Sequence, residues 1–187
     1  MDPKKLTPKV RNSLFSAMTG RAGDVTPGAS LTDKLRAAFG PGTRGAVVNA
    51  KAAAEGLGVS TRTVQRWVKG EIRNPKADHV QAITKAARQA ASTKAGRKAA
   101  LAVARDDRAS KRGATLTIKG RQGPLDYERH GRSVTLDLDP SQVRAMRDAW
   151  EAGGDKGVLG WTSSTLDQDY VADWNIVSID DIRFTSK

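Results

Sequence analysis

The hydrophobic pattern changes period near Gly113, and that change limits what the chain can fold into. Before it, apolar residues recur every three or four positions: Leu31, Leu35, Ala38 and Phe39, then Val80, Ile83, Ala87, Ala90 and Ala91. After it they alternate, as Leu116 and Ile118 do among Thr115, Thr117 and Lys119, and as Val134, Leu136 and Leu138 do among Ser133, Thr135 and Asp137. A period of 3.6 belongs to helices and a period of 2 to strands. A pure helical bundle and an all-β sandwich are both excluded. The expectation is an α+β chain, with a helical front part and a small rear unit built as β-β-α-α-β.

Charge steps at the same place. Residues 1–112 hold 23 Lys plus Arg against 8 Asp plus Glu; residues 113–187 hold 9 against 12. The total over 187 residues is +12. A charge balance this positive makes nucleic acid the leading partner class, ahead of an anionic membrane. The absence of cysteine removes disulfides, thiolate metal sites and a cysteine nucleophile. It also favours a reducing compartment. No apolar run approaches a membrane span, and no secretory signal is expected at the start.

Four segments follow. Residues 1–30 carry Pro3, Pro8, Pro27, Gly20, Gly23 and Gly28 and read as a weakly ordered arm. Val10, Leu14, Phe15 and Met18 leave room for one short helix in it. Residues 31–93 read as a helix-turn-helix domain. A first helix stops at Gly40-Pro41-Gly42, a second runs from Thr43 to Gly56, and an Ala-rich one begins at Asp78. Residues 94–112 read as a basic helix or linker that orders along DNA, with Leu101 and Val103 as its only large apolar groups. Residues 113–187 form the small acidic unit. In it Pro140 opens a helix that Ser141 helps cap, and Gly153-Gly154 stops that helix. Leu166, Tyr170 and Val171 mark another, and Ile176–Phe184 closes the chain as a strand. Val177 and Ile179 point inward there, and Asp180-Asp181 shifts the phase as a bulge would.

The most specific segment is AAAEGLGVSTRTVQRWVKG, residues 52–70. Two helices that touch need a small residue at the contact, and Ala54 is one. The turn needs a residue that accepts positive φ, and Gly58 follows four positions later. Val59 is the apolar residue after the turn, and Ser60 is an N-cap for the second helix. Val64 with Trp67 or Val68 forms the inward side, and Gly70 ends the helix. An amphipathic hairpin explains the apolar positions but not Ala54, Gly58 and Ser60 together. If this helix enters a major groove, Arg62 and Arg66 suit guanine and Gln65 suits adenine. Ser60, Thr61 and Thr63 lie at its N-terminus, where phosphate is favoured. Lys69, Arg73 and Lys76 are placed to hold the sugar-phosphate backbone.

With the basic Ala-rich helix that follows, GLGVSTRTVQRWVKGEIRNPK resembles the terminal proteins that cap linear replicons of Streptomyces and related actinobacteria. SVTLDLDPSQVRAM and VSIDDIRF resemble that family's strand-Pro-helix segment and last acidic strand, so the likeness spans roughly residues 40–187. The resemblance implies a protein primer. A side-chain hydroxyl accepts the first nucleotide, a DNA polymerase extends from it, and a second telomere-binding protein assists. The metal ions would belong to the polymerase, so the chain would be substrate rather than enzyme. The family's acceptor is a Thr ahead of the second strand. Here no Thr lies between Thr117 and Thr135. The candidates are Tyr127, in a Gly-rich loop, and Thr115 and Thr117, which lie in a strand.

No other chemistry is expected: no catalytic residues, no cofactor and no metal. Asp137, Asp139, Asp180 and Asp181 could meet only if the second and last strands pair, and His79 and His130 lack ligand spacing. Trp150, Trp161, Tyr170 and Trp174 in an acidic unit suit core and self-association, which points to a homodimer through the rear unit. A protein with this reading works in the cytoplasm, on nucleoid or plasmid DNA. The alternative is a non-covalent regulator, partition or replication-initiation protein of an actinobacterial plasmid or mobile element.

Overall fold

A computed structural model describes residues 2, 6–26, 28–102 and 104–187. Pro3, Pro27 and Val103, named above, lie outside the described residues. The fold is α+β, with eight α-helices and three strands among the described residues. The chain packs as two compact units, one of Arg21–Ala100 and one of Met1–Gly20 with Leu101–Lys187.

These boundaries differ from the sequence reading at both ends. Residues expected in a weakly ordered arm form helix α1, Pro8–Thr19. Pro8 and Gly20, which suggest disorder in the sequence, instead bound this helix. Thr7 accepts from the Val10 N–H, Pro8 takes the first turn where a missing N–H costs nothing, and Gly20 closes it in the left-handed conformation. Val10, Leu14, Phe15 and Met18 are buried, and Phe15 meets Trp150 edge to face at 6.0 Å. Its burial against a residue far along the chain assigns α1 to the rear unit.

The front unit is helical. Helix α2, Leu31–Phe39, is capped by Ser30. The helix expected from Thr43 starts only at Ala50, because Asn49 is the cap, its side chain accepting from the Ala52 N–H. Thr43–Gly45 is a short 3-10 turn instead. Helices α3, Ala50–Leu57, α4, Thr61–Val68, and α5, Ala77–Ser92, follow. Leu35, Val48, Ala53, Ala54, Val64, Trp67 and Ile83 form their shared core. The expected basic linker is broken into pieces: helix α6, Lys94–Leu101, a 3-10 turn over Ala104–Asp106, and helix α7, Arg108–Arg112. Leu101 is buried.

In the rear unit, strand β1, Ala114–Pro124, lies between β2, Arg129–Leu138, and β3, Trp174–Ser186, all antiparallel. Leu116, Ile118, Val134, Leu136 and Leu138 are buried, as their alternation predicts. On β3 the register slips twice. Lys119 faces Asp181 while Gly120 faces Ile179, and Arg121 faces Ser178 while Gln122 faces Ile176. Asp180 is one extra residue, as expected, and Val177 is a second. Ile176 and Ile179 are therefore buried, while Val177 is only half-buried. β2 and β3 are not neighbours, so the pairing that would gather Asp137, Asp139, Asp180 and Asp181 does not form, and the described residues hold no group of potential metal ligands.

Asp139, rather than Ser141, caps helix α8, Pro140–Asp169, in a capping box with Gln142. The expected stop is a break rather than a loop. Gly154, at φ 60° and ψ −144°, interrupts α8, a conformation closed to residues with a Cβ, and the helix then resumes. Trp150 is buried before the break, and Val158, Leu159 and Leu166 after it.

One polar network crosses this unit. Arg147 of α8 is 4% exposed and forms a bidentate pair with Asp107, at 3.0 and 2.7 Å. It also donates to the Ala104 carbonyl at 2.7 Å. Asp107 in turn caps α7 through the Ser110 N–H. Burial raises the Asp107 pKa, but the hydrogen bonds from Arg147 and Ser110 and the guanidinium charge outweigh it, and the net shift is downward. A depressed carboxylate pKa contributes stability at neutral pH that fades as pH falls through the folded value. Asp107→Ala should destabilise the rear unit by about 3 kcal/mol at pH 7, since it leaves a buried guanidinium unpaired. Urea titrations of variant and wild type should converge as pH falls below 4; an equal gap at both pH values would contradict the pairing.

Candidate nucleic-acid interface

The site is built on α3, the turn and α4. Ala54 sits where the two helices touch and is buried. Gly58 ends α3 at φ 64°, and its N–H and that of Val59 both return to the Ala54 carbonyl. One residue thus satisfies two N–H groups, which makes the turn tight. Gly56 serves a different need: a Cβ there would lie 2.7 Å from the Phe39 ring. Ser60 is extended, and its hydroxyl accepts from the Thr63 N–H at 3.1 Å.

α4 is two-sided. Val64 and Trp67 are buried, and Val68 is half-buried against the same core. The Trp67 ring lies 5.3 Å from that of His79 at the start of α5. Thr61, Arg62, Gln65, Arg66 and Lys69 are exposed. Positions 62, 65, 66 and 69 share one face at helical spacing. Arg73, in the following loop, and Lys76, at the N-cap of α5, are exposed too.

Two of the expected contacts have local employment. The Ser60 and Thr63 hydroxyls lie 2.9 Å apart, and Thr63 is half-buried. Their side chains shape the start of α4. Glu71 was missed by sequence reasoning. Its carboxylate lies 3.4 Å from Arg66 Nε and 3.9 Å from Lys69 Nζ. The chain folds back after Gly70, with the Glu71 N–H donating to the Arg66 carbonyl at 2.9 Å, and this return brings the acid to the basic face. The available signal was its offset of five from Arg66 across a helix-ending Gly. Such exposed pairs contribute little to stability. Their effect is to hold two long cations ready and to lower the local positive charge.

The candidate acceptors lie in the other unit. Tyr127 is in the tight turn between β1 and β2, its N–H donating to the Pro124 carbonyl, and is 71% exposed. Thr115 and Thr117 lie within the central strand, half-buried, and the Thr117 hydroxyl is 3.1 Å from that of Thr135. His79 and His130 fall in different units.

Residues 49–88 match a family model described as helix-turn-helix, which spans α3, α4 and most of α5. No curated protein and no solved structure matches the chain. The match supports sequence-specific DNA binding by this segment. No helix among the described residues is long and apolar enough to cross a membrane. Ser60→Ala removes the α4 cap and should cost the front unit about 1 kcal/mol. Chemical denaturation measures this, and a loss below a few tenths would show that the turn alone sets the helix.

Proposed function

We propose that this chain is a sequence-specific double-stranded DNA-binding protein that reads base edges through the outer face of α4. One observation carries the reading: Val64 and Trp67 are buried, so Arg62, Gln65, Arg66 and Lys69 stand together in solvent. In a major groove the N-terminal half of such a helix lies nearest the bases. Arg62 there donates to guanine and Gln65 forms its two bonds to adenine. Arg66 reaches either a base or a phosphate once it leaves Glu71. Arg73 and Lys76 grip the backbone, and each phosphate neutralised releases counterions.

The two kinds of contact separate by experiment. Arg62→Ala with Arg66→Ala should lower affinity for the preferred duplex by on the order of 1–3 kcal/mol per lost base contact and flatten the preference among sequences. Arg73→Ala should weaken all duplexes alike and reduce the salt slope by about 1. Competition binding across a set of duplexes measures both, and an unchanged preference in the double variant would refute the assignment of α4.

The resemblance carries a narrower proposal. The protein is a telomere terminal protein or relative, bound to replicon ends in the cytoplasm, and the Tyr127 hydroxyl receives the first nucleotide. In that step the phenolic oxygen attacks the α-phosphorus of a deoxynucleoside triphosphate. A phosphodiester forms, pyrophosphate leaves, and the phenolic proton passes to solvent or to a base of the polymerase. The polymerase supplies the metal ions, and the chain is substrate and primer rather than enzyme. A second telomere-binding protein and a homodimer through the rear unit belong to the same reading. Tyr127 supports it by lying at an exposed turn, where it can enter a polymerase cleft; Thr115 and Thr117 lie half-buried within the central strand, and the Thr117 hydroxyl is engaged with that of Thr135. With its polymerase and nucleotide, the chain should acquire an SDS-resistant nucleotide that maps to Tyr127 and is lost in Tyr127→Phe. DNA freed by detergent in every case would leave the non-covalent regulator, partition or initiation protein as the function.

A further inference from the structure

The rear unit is acidic as a whole, with nine Lys plus Arg against twelve Asp plus Glu. Its charge is unevenly placed. Residues 119–132 hold four Lys plus Arg and two Asp plus Glu; the remainder of 113–187 holds five and ten. The basic stretch forms the tip of the β1–β2 hairpin, where an open groove of about 430 Å³ is lined by Pro124, Tyr127, Arg129, His130, Gly131 and Arg132. We propose that this groove binds a single-stranded segment of nucleic acid, with a base stacked on Tyr127 and phosphates held by Arg129 and Arg132.

The walls are fixed in place. Gln122, fully buried, donates its amide to the Ile118 carbonyl at 2.8 Å and to the Arg132 carbonyl at 2.9 Å. That pins the hairpin where its register slips between Gly120 and Gln122. The Arg132 guanidinium lies 4.6 Å over the Trp174 ring, and that contact positions its side chain. Trp174 is 5% exposed, and its indole Nε1 has no hydrogen-bond partner among the described residues. Glu128, the nearest acid on β2's approach, is turned to Asn175 at 2.8 Å. Tyr127 is 71% exposed, and Arg129 and His130 beside it are exposed as well.

These features select the occupant. Two guanidinium groups attract an anion, and a flat exposed ring needs a flat ligand. Paired bases bury their faces in the stack, so duplex DNA offers this groove phosphates only. An unpaired strand offers both, and stacking on an aromatic side chain tolerates any base. The groove belongs to the rear unit and uses none of the α4 residues, so this proposal and the duplex reading fail separately.

The full chain should be titrated with a fluorescently labelled, unstructured oligonucleotide. Tyr127→Ala should weaken binding about tenfold, the loss of one base–aromatic stack. Tyr127→Phe keeps the ring and should stay within about twofold of wild type, although it lacks the hydroxyl that priming needs. Arg129→Ala with Arg132→Ala should weaken binding and flatten its salt dependence; Arg129→Ala alone, which leaves the Trp174 contact intact, should do so in part. Arg62→Ala with Arg66→Ala should leave it unchanged. Single-strand affinity indifferent to Tyr127 and Arg129, lost with the α4 pair, or displaced equally by an acidic peptide of matched charge would overturn the proposal.

Discussion

The burial of Val64 and Trp67 decides how the front unit presents itself. A helix of eight residues has little stability of its own, and α4 persists because those two side chains join Leu35, Ala53, Ala54 and Ile83 in one core. Their burial also sets the rotation of the helix about its axis. A turn of about 100° would bring the next residue inward, burying Gln65 in place of Val64 with no partner for its amide. Packing therefore aims Arg62, Gln65 and Arg66, and the turn at Gly58 and the cap at Ser60 place the helix start. Chemistry at the surface is a consequence of apolar contacts beneath it.

The rear unit solves a different problem. A three-stranded sheet needs cover to be stable, and helices from both ends of the chain pack against it: α1 contacts β3 and α8, and α8 contacts β2 and β3. Phe15 against Trp150 and Arg147 against Asp107 tie segments that are distant in sequence. The consequence is that the segment carrying the helix-turn-helix is an insertion within a unit whose parts lie on either side of it.

What could be read in the sequence was whatever is local. Ala54, Gly58 and Ser60 are each dictated by geometry within a few residues, so their spacing disclosed the turn. The alternation of Leu116 with Ile118 and of Val134 with Leu136 disclosed two strands for the same reason. The misreadings share a cause as well. Pro8 and Gly20 are equally good as helix bounds and as breakers, and only the burial of Phe15 by a distant tryptophan decides between them. Asn49 competes as a cap with a helix continued back through Ala46, Val47 and Val48, and local preference alone does not choose between them. The second bulge at Val177, the separation of β2 from β3 and the return of Glu71 to Arg66 are properties of pairing and chain path, which no single-residue preference encodes. The basic hairpin tip was hidden by averaging charge over the whole rear half.

The central claim is that α4 reads base edges in a major groove. The most direct measurement selects duplexes bound by the full chain from a randomised pool and then maps where methylation of guanine N7, an atom in that groove, blocks binding. The account predicts a defined motif with interference at particular guanines within it. A pool that stays random after selection, or binding indifferent to N7 methylation, would contradict it.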